Sequence, residues 1–140
     1  MGNVKRDRQR IIQATAAAAL LSGAPSTLDA LRRHREIRPV LTYVQEATSA
    51  IGTLVPPGRP GLLRGALIHV GISALCGEGL ARTLPRRHSV AWAAGAGLVL
   101  GVINVGVIGR RFPAIRALPL APQLADHVAF GVVFAAIVDR

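Results

Sequence analysis

The stretch SVAWAAGAGLVLGVINVGVI, residues 89–108, contains no charged side chain in 20 consecutive positions. At about 1.5 Å of rise per helical residue, this run can cross the roughly 30 Å hydrocarbon core of a bilayer. Ala93, Gly97 and Gly101 recur within it at every fourth position, so three small side chains share one helical face. The stretch therefore predicts a membrane-spanning helix that packs closely against another helix at Gly97 and Gly101.

Three further apolar runs predict additional spans, at about residues 11–31, 62–84 and 118–138. Residues 39–55 are apolar on one helical face only and too polar to span, which predicts an amphipathic helix on the membrane surface. The predicted fold is therefore all-α: a single membrane domain, residues 1–140, with a bundle of four transmembrane helices and one amphipathic interfacial helix between the first and second spans.

Two details of this bundle follow from local sequence. Pro25 lies inside the first span and predicts a kink or an early helix end. The connections after the second and third spans are short, so the second, third and fourth spans are expected to be antiparallel neighbours.

The charge of the chain is strongly basic, with 17 Lys and Arg against 7 Asp and Glu and a formal net charge of +10. These basic residues flank the apolar runs, and one Trp, one Tyr and three Phe leave few rings to stack on bases. The lipid bilayer, rather than nucleic acid, is therefore the expected partner. Basic residues are almost balanced between the two faces, but Lys5, Arg6, Arg8 and Arg10 before the first span favour cytoplasmic termini. The near-balance is also compatible with a homo-oligomer, such as an antiparallel dimer.

Polar side chains inside the predicted spans mark the candidate site, because such groups are costly in lipid. We call the face at which the first span ends face B and the opposite one face A. Six polar residues are expected at a similar depth, roughly 8–12 Å below face B by helix rise: Ser26, Thr27, His69, Asn104, Asp126 and His127.

This polar layer has a functional and a structural interpretation. In the functional one, His69 or His127 carries a proton or binds a ligand, Asp126 is its charge partner, and Asn104 and the hydroxyls support them. Two histidines and a carboxylate could also bind a divalent metal ion, although no local metal motif is present. In the structural one, the groups bond across helices and hold the bundle together, His69 with Asn104 and Asp126 with Arg64.

Other chemistry has little support in the sequence. There is no phosphate loop, GxSxG or CxxC pair, so no catalytic residue, cofactor or metal is expected and the chain is not predicted to be an enzyme. The single cysteine, Cys76, excludes an intrachain disulfide. Glu78, near face A, is expected to pair with Arg82 at i+4.

Two functions stay open from the residues alone. The first is a small channel or transporter-like protein that handles protons or a small solute at the polar layer, as a homo-oligomer because one chain leaves little room for a pore. The second is a structural or accessory membrane protein that binds a partner through Gly97 and Gly101 or through residues 40–54.

Several segments also carry a resemblance: GAPSTL at 23–28, the histidine early in the second span, IGRRFP at 108–113 and LPLAPQLADHVAFG at 118–131. With these, the chain resembles a family of uncharacterised small multi-pass membrane proteins of actinobacteria, over most of its length. The resemblance implies a multi-pass protein of the bacterial plasma membrane. It implies no activity and no catalytic residue.

Overall fold

The computed structural model describes residues 7–139, and within that range the chain is helical, with no strand. The helices are α1 (Arg8–Leu21), α2 (Ala24–His34), α3 (Ile37–Ile51), α4 (Leu62–Thr83), α5 (Ser89–Gly101), α6 (Pro113–Arg116) and α7 (Leu120–Val138). A π-helical segment, Val102–Ile108, continues α5, and short 3-10 turns cover Gly52–Leu54 and Gly109–Arg111. The predicted basic tail residues Lys5 and Arg6 and the final residue of the predicted domain lie outside the described residues.

The first predicted span forms two helices rather than one. Helix α1 ends at Leu21, and α2 begins at Ala24 with Pro25 in its first turn. Proline fits there because the first turn of a helix needs no intrahelical N–H donor and its fixed φ suits the start of a helix. The predicted interruption at Pro25 is therefore confirmed.

The predicted interfacial segment is also a helix, α3, followed by the 3-10 turn Gly52–Leu54. It begins at Ile37, so Pro39 is its third residue and not its first, and Glu36 is the N-cap position. Helix α3 packs against α2 and α4.

Within residues 7–139, three helical segments are long and apolar enough to cross a membrane: Arg8–His34, Ser89–Arg111 and Leu120–Val138. Helix α4, at 22 residues, is also long, but it carries Arg64, Glu78 and Arg82 and does not belong to that set. The predicted ion pair between Glu78 and Arg82 is confirmed at 2.7 Å. The described helices are thus consistent with a membrane protein, and the count of four spans stays a prediction.

The long helices are arranged laterally in the order α5, α7, α1, α4. Helices α5 and α7 run antiparallel, since Ala93 faces Gly131 near one end and Gly101 faces Leu124 near the other. The expectation that α4 and α5 are packed neighbours is wrong, because α4 packs against α1 and α5 packs against α7. The short turn between α4 and α5 permits adjacency, but it does not supply the small-residue face that close packing requires.

Glycines make the close approaches between these helices. A Cβ added at Gly97 would lie 2.2 Å from the carbonyl oxygen of His127, and one at Gly131 would lie 2.0 Å from that of Ala93. Between α4 and α1, a Cβ at Gly77 would lie 2.1 Å from Thr15 Oγ1. Such distances leave no room for a side chain, so the stripe through Gly97 and Gly101 is occupied by α7 of the same chain.

The buried apolar core lies on the face-A side of these contacts, where α7 meets α1, α4 and α5. The rings of Phe130 and Phe134 stack with centroids 6.5 Å apart, and Phe134 is fully buried. The remaining buried members are Ala14, Ala18, Leu80, Leu84, Ala93, Ala135 and Val138. The polar layer therefore lies in the half of the helix bundle next to face B, and the half next to face A is apolar.

Replacing Gly97 by Val should destabilise the fold, because the new Cβ would clash with the α7 backbone at His127. Overpacking of this kind costs about 1–3 kcal/mol. Gly95→Val is the matched control, since a Cβ at Gly95 meets no atom within 4 Å and the helix-propensity change is the same. Thermal unfolding in detergent, followed by circular dichroism, should give a lower Tm for Gly97→Val only. Equal melting temperatures for the two variants would contradict the close α5–α7 contact.

Candidate intramembrane polar site

Asp126 of α7 caps the N-terminus of α2. The first N–H groups of a helix have no intrahelical acceptor. Pro25 has no N–H, and the N-cap residue Gly23 has no side chain that could cap. The N–H of Ser26 donates instead to Asp126 Oδ1 at 2.9 Å. A carboxylate from another helix thus accepts a hydrogen bond from a backbone N–H that the break at Pro25 exposes. The same carboxylate lies at the positive end of the α2 dipole.

Hydroxyl groups satisfy carbonyl oxygens around the same break. Thr27 Oγ1 donates to Gly23 O at 2.7 Å, and Ser26 Oγ lies 3.3 Å from the same oxygen. On the α1 side, Ser22 Oγ lies 3.4 Å from Ala19 O. Ser26 and Thr27 are therefore both at the break, but Thr27 bonds within its own turn, and Ser26 alone of the two contacts Asp126.

Tyr43 of α3 joins this set, although the sequence did not indicate it. Its side chain is within hydrogen-bond reach of the Ser26 side chain and within electrostatic range of Asp126. Burial raises the pKa of the Tyr43 hydroxyl, the Ser26 hydrogen bond lowers it and the charge of Asp126 raises it, with burial the largest effect. Because the raised pKa lies above an ordinary value near 10, the hydroxyl keeps its proton at neutral pH.

His127, next to Asp126, faces α5 and not α2. Its Nδ1–H donates to Gln123 O at 2.8 Å, so Nε2 carries the lone pair and accepts from the Asn104 side-chain amide at 3.1 Å. These two bonds define one neutral tautomer. Asn104 lies in the π-helical segment, and its carbonyl oxygen accepts from the N–H of Gly109 five residues on. π-Helical turns within α-helices are often found at functional sites.

His69 of α4 bonds to α1. Its Nε2 lies 3.2 Å from the carbonyl oxygen of Ala19 and therefore donates to it. The predicted pairing of His69 with Asn104 is wrong, because α1 and α7 separate α4 from the π-helical segment.

Arg64 does not pair with Asp126 either. Its Nε donates to the carbonyl oxygen of Gly52 at 2.9 Å, and its Nη2 donates to those of Val55 and Pro56. The guanidinium thus caps the end of the α3 segment at face B, and this part of the structural interpretation is wrong as well.

Among the predicted site residues, Asp126 is the one near which several of the others lie. Besides Ser26, the imidazoles of His127 and His69 lie near its carboxylate. Within residues 7–139 it forms no ion pair with a cationic side chain. Nor does that range contain three His, Cys, Asp or Glu side chains grouped as a metal site would need. The arrangement can therefore hold a carboxylate inside the helix bundle by hydrogen bonds alone.

Gln123, one turn before Asp126 and His127, is a further residue that the sequence did not single out. Its side-chain Nε2 is buried and has no hydrogen-bond partner among the described residues. A buried donor without an acceptor costs about 1–3 kcal/mol. This amide is therefore available to a small polar species at the layer. The only signal in the sequence was its spacing to Asp126 and His127, which puts all three within about one turn.

A cavity of about 380 Å³ opens at the face-B side between α2, α3 and α6. Arg33 and His34 line it from α2, and Tyr43 and Glu46 from α3. Tyr43 is thus part of the cavity wall and also reaches the Ser26 side chain. The side chain of Tyr43 lies between an open, charged surface and the half-buried carboxylate.

Comparisons of the chain with protein-family models, with curated proteins and with solved structures find no match.

Removing the carboxylate should loosen the start of α2. We expect Asp126→Ala to cost about 0.5–2 kcal/mol, as for other helix N-caps, and to speed exchange of the Ser26 amide hydrogen. Asp126→Asn keeps an acceptor oxygen in the same place and should retain most of the protection. Hydrogen exchange with mass spectrometry of the peptide that covers the start of α2 measures both variants. Unchanged exchange in Asp126→Ala would show that the bond at 2.9 Å contributes nothing to the break.

Proposed function

We propose that this chain is a multi-pass protein of the bacterial plasma membrane, with cytoplasmic termini, that binds and transfers protons at a carboxylate inside its helix bundle. Four segments cross the bilayer in this proposal: α1 with α2, α4, α5 with its π-helical continuation, and α7. Helix α3 lies along face B. One observation carries the proposal: Tyr43 lines the face-B cavity and also reaches Ser26, whose N–H is bonded to Asp126.

The charges of α4 are compatible with its crossing the bilayer. Its 22 residues have a length of about 33 Å at the usual helical rise. Arg64 lies in the first turn and donates to carbonyl oxygens outside the helix, at face B. Glu78 and Arg82, near face A, neutralise each other as an ion pair. Contact with α1 through Gly77 then aligns α4 with a helix of spanning length and composition.

The chemistry requires a chain of groups that each accept one proton and release another. A hydroxyl has one proton and two lone pairs, so Ser26 can accept from Tyr43 and, by turning its own proton from Gly23 O to the carboxylate, donate to Asp126. A proton taken up from the cavity would move through Tyr43 and Ser26 and rest on the carboxylate, which lies near the imidazoles of His69 and His127. The apolar core between this layer and face A means that complete passage would need a path at the surface of the chain, as in a homo-oligomer.

A purely structural role is the second candidate, and specific contacts favour it. His69 bonds to Ala19, and His127 bonds to both Asn104 and Gln123, so these three residues, like Ser26, Thr27 and Asp126, already have partners within the chain. The two candidates differ in what they require of position 126. A structural cap needs an acceptor oxygen, whereas proton transfer needs a group that titrates.

Asp126→Asn therefore separates the two roles, because the amide keeps the acceptor and cannot carry the proton. The purified chain is reconstituted in vesicles that contain a pH-sensitive dye, and a potassium gradient with valinomycin sets the membrane potential. We expect wild-type vesicles to acidify or alkalinise according to the sign of the potential, and Asp126→Asn vesicles to match protein-free vesicles. Tyr43→Phe should slow the flux, since it removes the hydroxyl that joins the cavity to Ser26.

Glu78→Gln is the control, because Glu78 is an exposed carboxylate on α4 that lies away from the layer. Flux from Asp126→Asn equal to that of wild type, with the same melting temperature, would leave the structural role as the function of this residue. Absence of flux from the wild-type chain would lead to the same conclusion.

A further inference from the structure

A long apolar groove separates α4 from α5. The two helices are consecutive in the chain but are not packed against each other, and the space between them has a volume of about 1020 Å³. Leu75 and Gly79 line it from α4, and Trp92, Gly95 and Val99 line it from α5. Leu75 and Val99 are 77% and 58% exposed, so the groove opens sideways along its length.

The floor of the groove belongs to the protein core. Leu80 is buried in the cluster that α7 forms with α1, and Cys76 and Ala96 pack against that cluster. Gly79 and Gly95 have open space where a side chain would be, since a Cβ at either position meets no atom within 4 Å. The groove is therefore a depression in an ordered surface, with its width set by two glycines.

A guanidinium and an imidazole lie at the face-A end of the groove. His88 lines this end, and Arg87 precedes it in the turn between α4 and α5; both side chains are exposed. Trp92 is one turn further along α5 and is 63% exposed, which is the position that tryptophan prefers near the level of lipid headgroups. From His88 to Val99 the groove follows α5 for about 16 Å of helix rise. Charge at one end and an apolar channel beyond it match an anionic headgroup and its acyl chain.

We infer that this groove binds one acyl chain of an anionic phospholipid, with the headgroup phosphate at Arg87 and His88. The inference uses the membrane arrangement proposed above but does not depend on the chemistry of Asp126. If face A is cytoplasmic, as proposed, the lipid comes from the leaflet whose negative surface attracts basic segments.

A second copy of the chain is a less suitable occupant. Two parallel copies joined groove to groove would bring their Arg87 and His88 side chains to the same level at face A. Like charges placed together oppose association. A phospholipid instead brings a negative charge to that end and a hydrocarbon chain to the rest.

Trp92 and Cys76 are the only tryptophan and the only cysteine, and both line the groove, so the native chain carries its own reporters. The chain is placed in phosphatidylcholine nanodiscs that contain an equal mole fraction of brominated-chain phosphatidylglycerol or brominated-chain phosphatidylcholine. Bromine quenches Trp92 fluorescence at short range. We expect a relative association constant about fivefold higher for the anionic lipid, as one basic side chain near an anionic lipid surface would give.

Four variants, one of them a control, assign the effect to the groove. Gly79→Leu and Gly95→Leu fill it from either wall and should remove the preference, and Gly71→Leu is the matched control, with equal open space at a position outside the groove. Arg87→Gln should make the quenching by the two lipids equal without abolishing it. Equal quenching by both lipids in wild type, or a preference that survives Gly79→Leu, would overturn the inference.

A Cys76–Cys76 cross-link formed with a short bismaleimide at low protein density would overturn the lipid inference, because it would show that a second copy of the chain occupies the groove. These readouts are independent of proton flux, so a failure of the lipid site and a failure of the proton site are distinguishable. Weak quenching by both brominated lipids would instead contradict the membrane position of α5 on which both proposals depend.

Discussion

The bond from the Ser26 N–H to Asp126 is the interaction on which the face-B half of the molecule depends. A helix break inside a bilayer exposes backbone donors and acceptors that water cannot reach, so the protein has to satisfy them itself. Here the hydroxyls of Ser26 and Thr27 bond to carbonyl oxygens, and a carboxylate from α7 accepts a donor. Because α7 holds the start of α2, it also influences the position at which α2 ends and α3 begins. The position of Tyr43 beside Ser26, and the cavity that Tyr43 lines, follow from that bond.

Small residues decide the lateral order of the helices. In lipid there is little hydrophobic gain from bringing two apolar helices together, so close backbone packing selects the partners. Gly97 and Gly131 bring α5 and α7 together, and Gly77 brings α4 against α1. Helices α4 and α5 present Gly95 and Gly79 to each other across open space, with no side chain or backbone within 4 Å of either position. The groove between them is thus a consequence of where the matched faces lie, and the short turn at His88 does not close it.

Features that depend on local sequence could be predicted, and features that depend on lateral order could not. The break at Pro25 and the Glu78–Arg82 pair arise within one helix, and both were expected. The pairings of His69 with Asn104 and of Arg64 with Asp126 were wrong, since depth along a helix says nothing about which helices are adjacent. Tyr43 was missed because its segment was assigned to the membrane surface. Gln123 was missed because it lies in the first turn of a span.

The chemistry of Asp126 is compatible with a structural cap and also with the proposed proton transfer, because a carboxylate has two oxygens. Oδ1 accepts from the Ser26 N–H, which leaves Oδ2 for the Ser26 hydroxyl or for a proton. The neighbouring histidines differ in what they can accept. His127 uses both ring nitrogens, one towards Asn104 and one towards Gln123 O. His69 donates from Nε2 and leaves Nδ1 without a bond among the described residues. The imidazole on the α1 side therefore has room for one more hydrogen bond, whereas the one facing α5 has none.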